Sequence, residues 1–232
     1  MKVGIMQPYF FPYIGYWQLI KAVDKFVIYD DVNFIKRGWI NRNKILNQGE
    51  GKFINLLVSQ ASQNKLINEL EVLKNLIHNK KLLKTLESCY RRAPYYADVL
   101  PVIESIITQD EGNLARYLEF LIMRLCEYLS IDTEIILSSR INKNNDLRGQ
   151  DKIIEICKIL GADEYINGTG GQALYSREEF AACGIHLKFL KTDEIVYQQN
   201  TAEFVPNLSI IDVMMFNGPG KINEMLDGYE LL

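Results

Sequence analysis

An α/β fold with a largely parallel sheet is predicted by three features of this 232-residue sequence. A strand–loop–helix–strand pattern opens it, a helical stretch fills the middle, and strands alternating with helices return after residue 130.

Residues 3–6 are a short apolar run stopped by Gln7 and Pro8. After the aromatic loop Tyr9-Phe10-Phe11-Pro12, residues 13–23 have helical spacing, and 26–29 form a second apolar run ending on Asp30 and Asp31. Strand, helix and strand in that order make a βαβ unit with parallel strands and a right-handed crossover. Segments 39–46 and 53–58 read as further strands around the turn-rich Asn47-Gln48-Gly49-Glu50-Gly51. Helical patterns then cover 68–92 and 95–108, separated by Ala93-Pro94. Segment 112–129 is the clearest helix, with Leu114, Tyr117, Leu118, Leu121, Ile122, Leu125, Tyr128 and Leu129 in one stripe and Arg116, Glu119 and Glu127 off it.

The last part predicts a strand at 134–137, a helix at 151–160 and a strand at 164–167 that runs into Gly168-Thr169-Gly170-Gly171. A short helix follows at 176–182, where Ser176 and Glu179 have capping-box spacing. A strand at 185–190 and a helix at 210–216, capped by Asn207 or Ser209, complete the pattern. The expected organisation is an N-terminal part of the core over 1–59, a helical insertion over 60–130, and a C-terminal part of the core over 131–232.

Hydrophobic residues make up 48% of the chain and charged residues 24%, enough apolar material for a core without a disulfide or metal staple. The net charge of −3 argues against a broad nucleic-acid surface. Cys89, Cys126, Cys157 and Cys183 form no CxxC and read as reduced, buried thiols. No apolar run approaches the ~20 residues that span a bilayer, and the opening residues read as a strand rather than a secretory signal. The expected compartment is the cytoplasm, with no membrane partner.

Three loops leave predicted strands with distinctive chemistry. In a parallel sheet they would meet at the carboxyl edge, where open α/β sheets bind ligands. The first, 7–12, joins Gln7 to prolines and aromatic rings and suits a nucleobase or a sugar; a hydrophobic plug is the competing reading for Phe10, Phe11 and Trp17. The second, 30–42, sets Asp30 and Asp31 beside Lys36, Arg37 and Arg42, with Trp39 and Asn41 between. Its carboxylates could take a proton, hold an ammonium group or bind hydrated Mg²⁺, and its basic residues could neutralise a diphosphate. The third, Gly168, Thr169, Gly170, Gly171 and Gln172, reads either as an anion nest, since glycine tolerates positive φ, or as a simple strand-to-helix turn. His78 and His186 stand apart from any zinc-ligand spacing, and there is no GxSxG elbow.

The segments MQPYFFPYIGYWQLI, VIYDDVNFIKRGWINRNKI, YINGTGGQALYSREEF and LSIIDVMMFNG, in that order, resemble the WbqC-like protein family over almost the whole chain. The resemblance implies an enzyme of bacterial O-antigen and other surface-polysaccharide biosynthesis that installs an acyl or aminoacyl group on a nucleotide-linked amino sugar. PYFFPYIGYWQLI is also distantly similar to the HxGH-bearing strand–loop–helix of nucleotidyltransferases and pantothenate synthetase-like ligases, with Tyr13 and Tyr16 about where the histidines would stand. That likeness implies a Rossmann-like core of the HUP or nucleotidyltransferase-like type.

The combined reading is N-acylation of an amino group on a nucleotide-diphosphate sugar. Asp31, then Asp30, would receive the amine proton. Lys36, Arg37 and Arg42 would hold the diphosphate, Gln7 and Tyr9 the sugar or base, and the loop from Gly168 to Gly171 a second anionic group, with Asp212 as a further polar contact. Acyl-CoA, a carrier-bound acyl group, aminoacyl-tRNA and an ATP-activated acid all fit as donor. The rival readings are an ATP-dependent ligase or nucleotidyltransferase and a non-catalytic nucleotide-sugar binding protein.

Overall fold

The computed structural model describes residues 1–232. The chain begins with β1 (Lys2–Met6), α1 (Ile14–Lys21) and β2 (Lys25–Ile28). It continues through β3 (Arg42–Asn47), β4 (Glu50–Asn55), β5 (Val58–Ser59), β6 (Glu71–Val72), α2 (Leu76–Tyr90), α3 (Tyr96–Ile107) and α4 (Leu114–Leu129). It then alternates through β7 (Glu134–Leu137), α5 (Gly149–Leu160), β8 (Glu164–Gly168), α6 (Arg177–Ala182) and β9 (His186–Thr192), and closes with α7 (Ile210–Phe216), α8 (Pro219–Leu226) and β10 (Tyr229–Leu231).

Six strands form the central sheet in the order β10-β9-β8-β1-β2-β7. All neighbours pair in parallel except β10, which runs antiparallel on β9 at one edge. Met6 pairs with Ile28, and Ile28 with Leu137, so β1, β2 and β7 end level at one carboxyl edge. Side chains alternate between faces as the pleat requires. Val3, Ile5, Val27, Tyr165, Leu187 and Phe189 meet Ile153, Ile156 and Cys157 of α5 and Phe180 of α6 in one core. Phe26, Ile28, Ile166 and Leu190 face the larger core, built with α1, α4, α7, α8 and the α2–α3 pair.

The segment outside the sheet is wider than residues 60–130, because it starts directly after β2 and ends at β7. The predicted strands at 39–46 and 53–58 exist but pair only with each other, as the β3–β4 ribbon. Their alternation identified strands without identifying partners. Gln48 (φ 51°) and Gly49 (φ 84°) form its two-residue turn, in the left-handed pair of conformations that matches strand twist. The helix expected from residue 68 begins at Leu76, where the Asn75 side chain accepts from the His78 amide. α8 and β10 lie beyond the expected elements; Pro219 starts α8 at a position that needs no N–H donor.

Between the sheet and α8, α1 is buried on nearly every side, Gln18 included. The Gln18 amide nitrogen donates to the Met225 and Gly228 carbonyls at 2.8 Å each, tying the first helix to the last. Gln18→Ala should remove both of these bonds, while the Gly228 and Asp193 amides still donate to the two carbonyls, and destabilise the protein by about 1–3 kcal/mol. Urea unfolding checks this, and an unchanged midpoint would show that the link carries no stability.

Candidate functional site

The first loop is held by its own carbonyls. Phe10 and Phe11 are fully buried, and Phe11 sits at φ 45°, in the left-handed region that a bulky residue avoids. The Asn43 amide donates to the carbonyls of Phe10 (3.1 Å) and Phe11 (2.8 Å), and the Ser209 hydroxyl also donates to Phe11 (2.8 Å). The Trp17 indole N–H donates to the Pro12 carbonyl at 3.0 Å. These bonds over-determine the strained backbone, and Phe10, Phe11 and Trp17 act as a plug over the sheet. Tyr16, expected to touch ligand, is buried as well; its hydroxyl donates to the backbone carbonyl of half-buried Gln7 at 3.1 Å.

With the plug turned inward, Tyr9 and Tyr13 face outward. They line a cleft of about 260 Å³ with Pro12, Trp39, Asn43 and Asn207. Burial pushes both phenols above their usual pKa, so each remains an O–H donor. Trp39 stacks on Phe53, with centroids 6.3 Å apart. Arg42 lies 4.5 Å from the centre of the same Phe53 ring and donates to the carbonyls of Gly38 and Arg37. Arg42 therefore braces the Trp39 loop instead of reaching for a diphosphate. Asn41 is likewise engaged, donating to the Leu56 carbonyl at 3.0 Å. Lys36 and Arg37 are exposed and line neither this cleft nor the polar cavity at the end of β2.

Asp30 and Asp31 continue the alternation of β2 and point to opposite faces, so they cannot chelate one cation. Asp30 is buried on the α4 side and accepts from the Ser139 amide (2.9 Å) and hydroxyl (2.6 Å). Burial raises its pKa against the pull of those bonds. Asp31 faces a polar cavity of about 500 Å³ beyond the ends of β2 and β7, lined also by Tyr29, Asn33, Asn68, Ser139, Asn145, Arg148, Gly149 and Lys152. Its Oδ2 lies 2.8 Å from Nζ of Lys143 and 2.9 Å from Nζ of Lys152. The three side chains are only 9%, 1% and 5% exposed. Burial pushes the Asp31 pKa up, but Lys143, Ser138 and Lys152 together outweigh it and hold the carboxyl below its ordinary 3.8. Asp31 is thus an ionised carboxylate already engaged by two ammonium groups, with less basicity than the sequence reading assigned to it.

The glycine loop after β8 is a turn. None of Gly168, Gly170 and Gly171 has positive φ, and Thr169–Leu174 winds into a short 3₁₀ helix. A side chain at Gly171 would meet the Asn167 amide at 2.7 Å, so that glycine serves close packing. Thr169 and Gln172 line neither cavity. Asp212 is fully buried, accepting from Tyr90 (2.8 Å), Tyr197 (2.7 Å) and Gln199 (2.8 Å), which places it in a structural network away from the cavity.

Lys143, Arg148 and Lys152 were missed. Lys152 left a readable trace, because it interrupts the apolar stripe of α5 beside Ile153 and Ile156; Lys143 sits in a polar loop with no periodicity. No three His, Cys, Asp or Glu side chains gather as a metal group, and burial pushes the thiols of Cys126 and Cys157 up to about 12.

Because the folded pKa of Asp31 lies below 3.8, its contribution is fully present above about pH 4 and is lost as pH falls through the folded value. Asp31→Asn should remove that acid-side loss and, by leaving two buried ammonium groups unpaired, destabilise the protein at neutral pH by about 3–5 kcal/mol. Unfolding curves from pH 7 to 3 check both effects.

A family model for the WbqC-like protein family matches residues 7–224. The chain is similar to the uncharacterized protein Rv1507c of Mycobacterium tuberculosis (strain ATCC 25618 / H37Rv), with 27% identity over 219 residues covering 93% of each chain. No solved structure matches. The match over residues 7–224 takes in the plugged loop, the Asp31 strand end, the turn after β8 and the capped α7, and this chain belongs to the WbqC-like protein family.

Proposed function

We propose that this protein is an enzyme of bacterial surface-polysaccharide biosynthesis that transfers an acyl or aminoacyl group to the amino nitrogen of a nucleotide-linked sugar. The observation that carries this reading is a polar cavity lined by Arg148 and Lys152 beyond the ends of β2 and β7, in a molecule that also opens an aromatic cleft on the loop after β1. A sugar nucleotide combines a flat base, polar rings and a charged linker, and those two sites offer matching chemistry. Numbered in chain order, the six sheet strands stand 6-5-4-1-2-3. This is the order of doubly wound nucleotide-binding sheets and supports a Rossmann-like assignment. Asp31 is the one carboxylate lining the cavity. The amine nitrogen bonds to the acyl carbon, and the donor's leaving group departs with its electron pair and takes up the amine proton. Asp31, which Lys143 and Lys152 keep ionised, accepts a hydrogen bond from the amine and orients it. A mixed cavity of about 350 Å³ shares Tyr13 and Asn207 with the cleft and is lined by Tyr197 and Phe204 as well as by Asp193 and Glu194; its apolar wall suits the acyl group. Buried Tyr16 offers no substitute for a phosphate-facing histidine, which weighs against adenylyl transfer.

A cognate sugar nucleotide at 100 times its Kd should add about 2.7 kcal/mol of apparent stability. Thermal-shift measurements across UDP-, GDP- and dTDP-linked amino sugars test this, followed by mass spectrometry for the N-acylated product. Trp39→Ala should weaken binding by about 1–3 kcal/mol through lost stacking. Absence of any shift across the three nucleotide classes would overturn the reading.

A further inference from the structure

The cluster of Lys143, Asp31 and Lys152 is larger in charge than its own structure needs. Two ammonium groups, each more than nine-tenths buried, share one carboxylate oxygen. One buried positive charge is therefore left unmatched, and the exposed Arg148 adds a further cation on the wall of the same cavity, within a chain whose net charge is −3. Holding unbalanced charge out of water is unfavourable unless a counter-charge completes the site.

The cations are also held in place. Lys143 donates to the Ser138 carbonyl, and Lys152 to the Asp31 carbonyl at 3.1 Å while lying 5.2 Å from the centre of the Tyr29 ring. Arg148 donates to the Leu147 carbonyl at 2.8 Å, next to the first turn of α5, which no side chain caps. Gly149 lines the cavity with φ 53° and open space where a Cβ would stand. Uncapped amides at a helix start favour an anion in the same place.

We infer that Lys152, Arg148 and the start of α5, backed by Lys143 and Asp31, form a phosphoryl-binding site. The one unmatched buried charge, joined by Arg148 on the cavity wall, suits a phosphate monoester or a diphosphate, each near −2, better than a single carboxylate. The inference rests on the sugar-nucleotide reading only in identifying the anion's natural carrier. Isothermal titration with inorganic pyrophosphate, phosphate and acetate at low ionic strength tests it directly. Pyrophosphate should bind saturably and more tightly than acetate, and Arg148→Gln should weaken it roughly tenfold, the loss of one charged hydrogen bond. Lys152→Met should weaken it further, while Lys36→Gln leaves it unchanged. If Lys152→Met fails to fold, the exposed Arg148 substitution still decides. Pyrophosphate binding without turnover of any amino sugar would support this site and count against the transfer reaction. No saturable pyrophosphate binding, unchanged affinity in Arg148→Gln, or acetate binding as tightly as pyrophosphate would overturn it.

Discussion

The plugged loop after β1 is the constraint on which the rest of the site depends. A left-handed Phe11 persists because Asn43, Ser209 and Trp17 all bond to the carbonyls around it. Those three residues come from the β3–β4 ribbon, the start of α7 and α1, so one short loop gathers elements that are far apart in the chain. Turning Phe10 and Phe11 inward leaves Tyr9 and Tyr13 outward. The cleft is a by-product of the strain, and its walls cannot move without disturbing the core beneath.

The second organising feature is electrostatic. The alternation of β2 sends Asp30 towards α4 and Asp31 towards α5, giving two adjacent carboxylates opposite fates. One is capped by Ser139 and raised in pKa; the other is paired with two lysines and lowered. Only the second of the two lines the polar cavity.

Periodicity made β1, α1, α4, β7 and α7 legible, because each has an apolar pattern that its own local structure satisfies. Partners were harder. The β3–β4 ribbon has the alternation of a sheet strand, and nothing local says that it pairs only with itself. Cavity-lining residues were legible where a loop left a strand end, as at Tyr9 and Asp31, and illegible where charge was used internally. Arg42 reads as a phosphate ligand but grips Phe53 and its own loop, and Asp212 reads as a polar contact but satisfies buried tyrosines. The cations that line the cavity, Arg148 and Lys152, come from the start of α5, remote in sequence from Asp31, and the parallel pairing of β2 with β7 brings that region to it.

That pairing also shapes how the chain must assemble. Ile28 reaches Leu137 only after the ribbon and three helices between them have been made, and β1 finds its other neighbour only when β8 emerges. Long-range parallel contacts of this type close large loops and form slowly. Until they form, the early β1–α1–β2 unit has two open sheet edges and the apolar residues Phe26 and Val27 uncovered, a template for pairing with other chains. The stretch of synthesis between β2 and β7 is therefore the stage at which this protein is most exposed to aggregation.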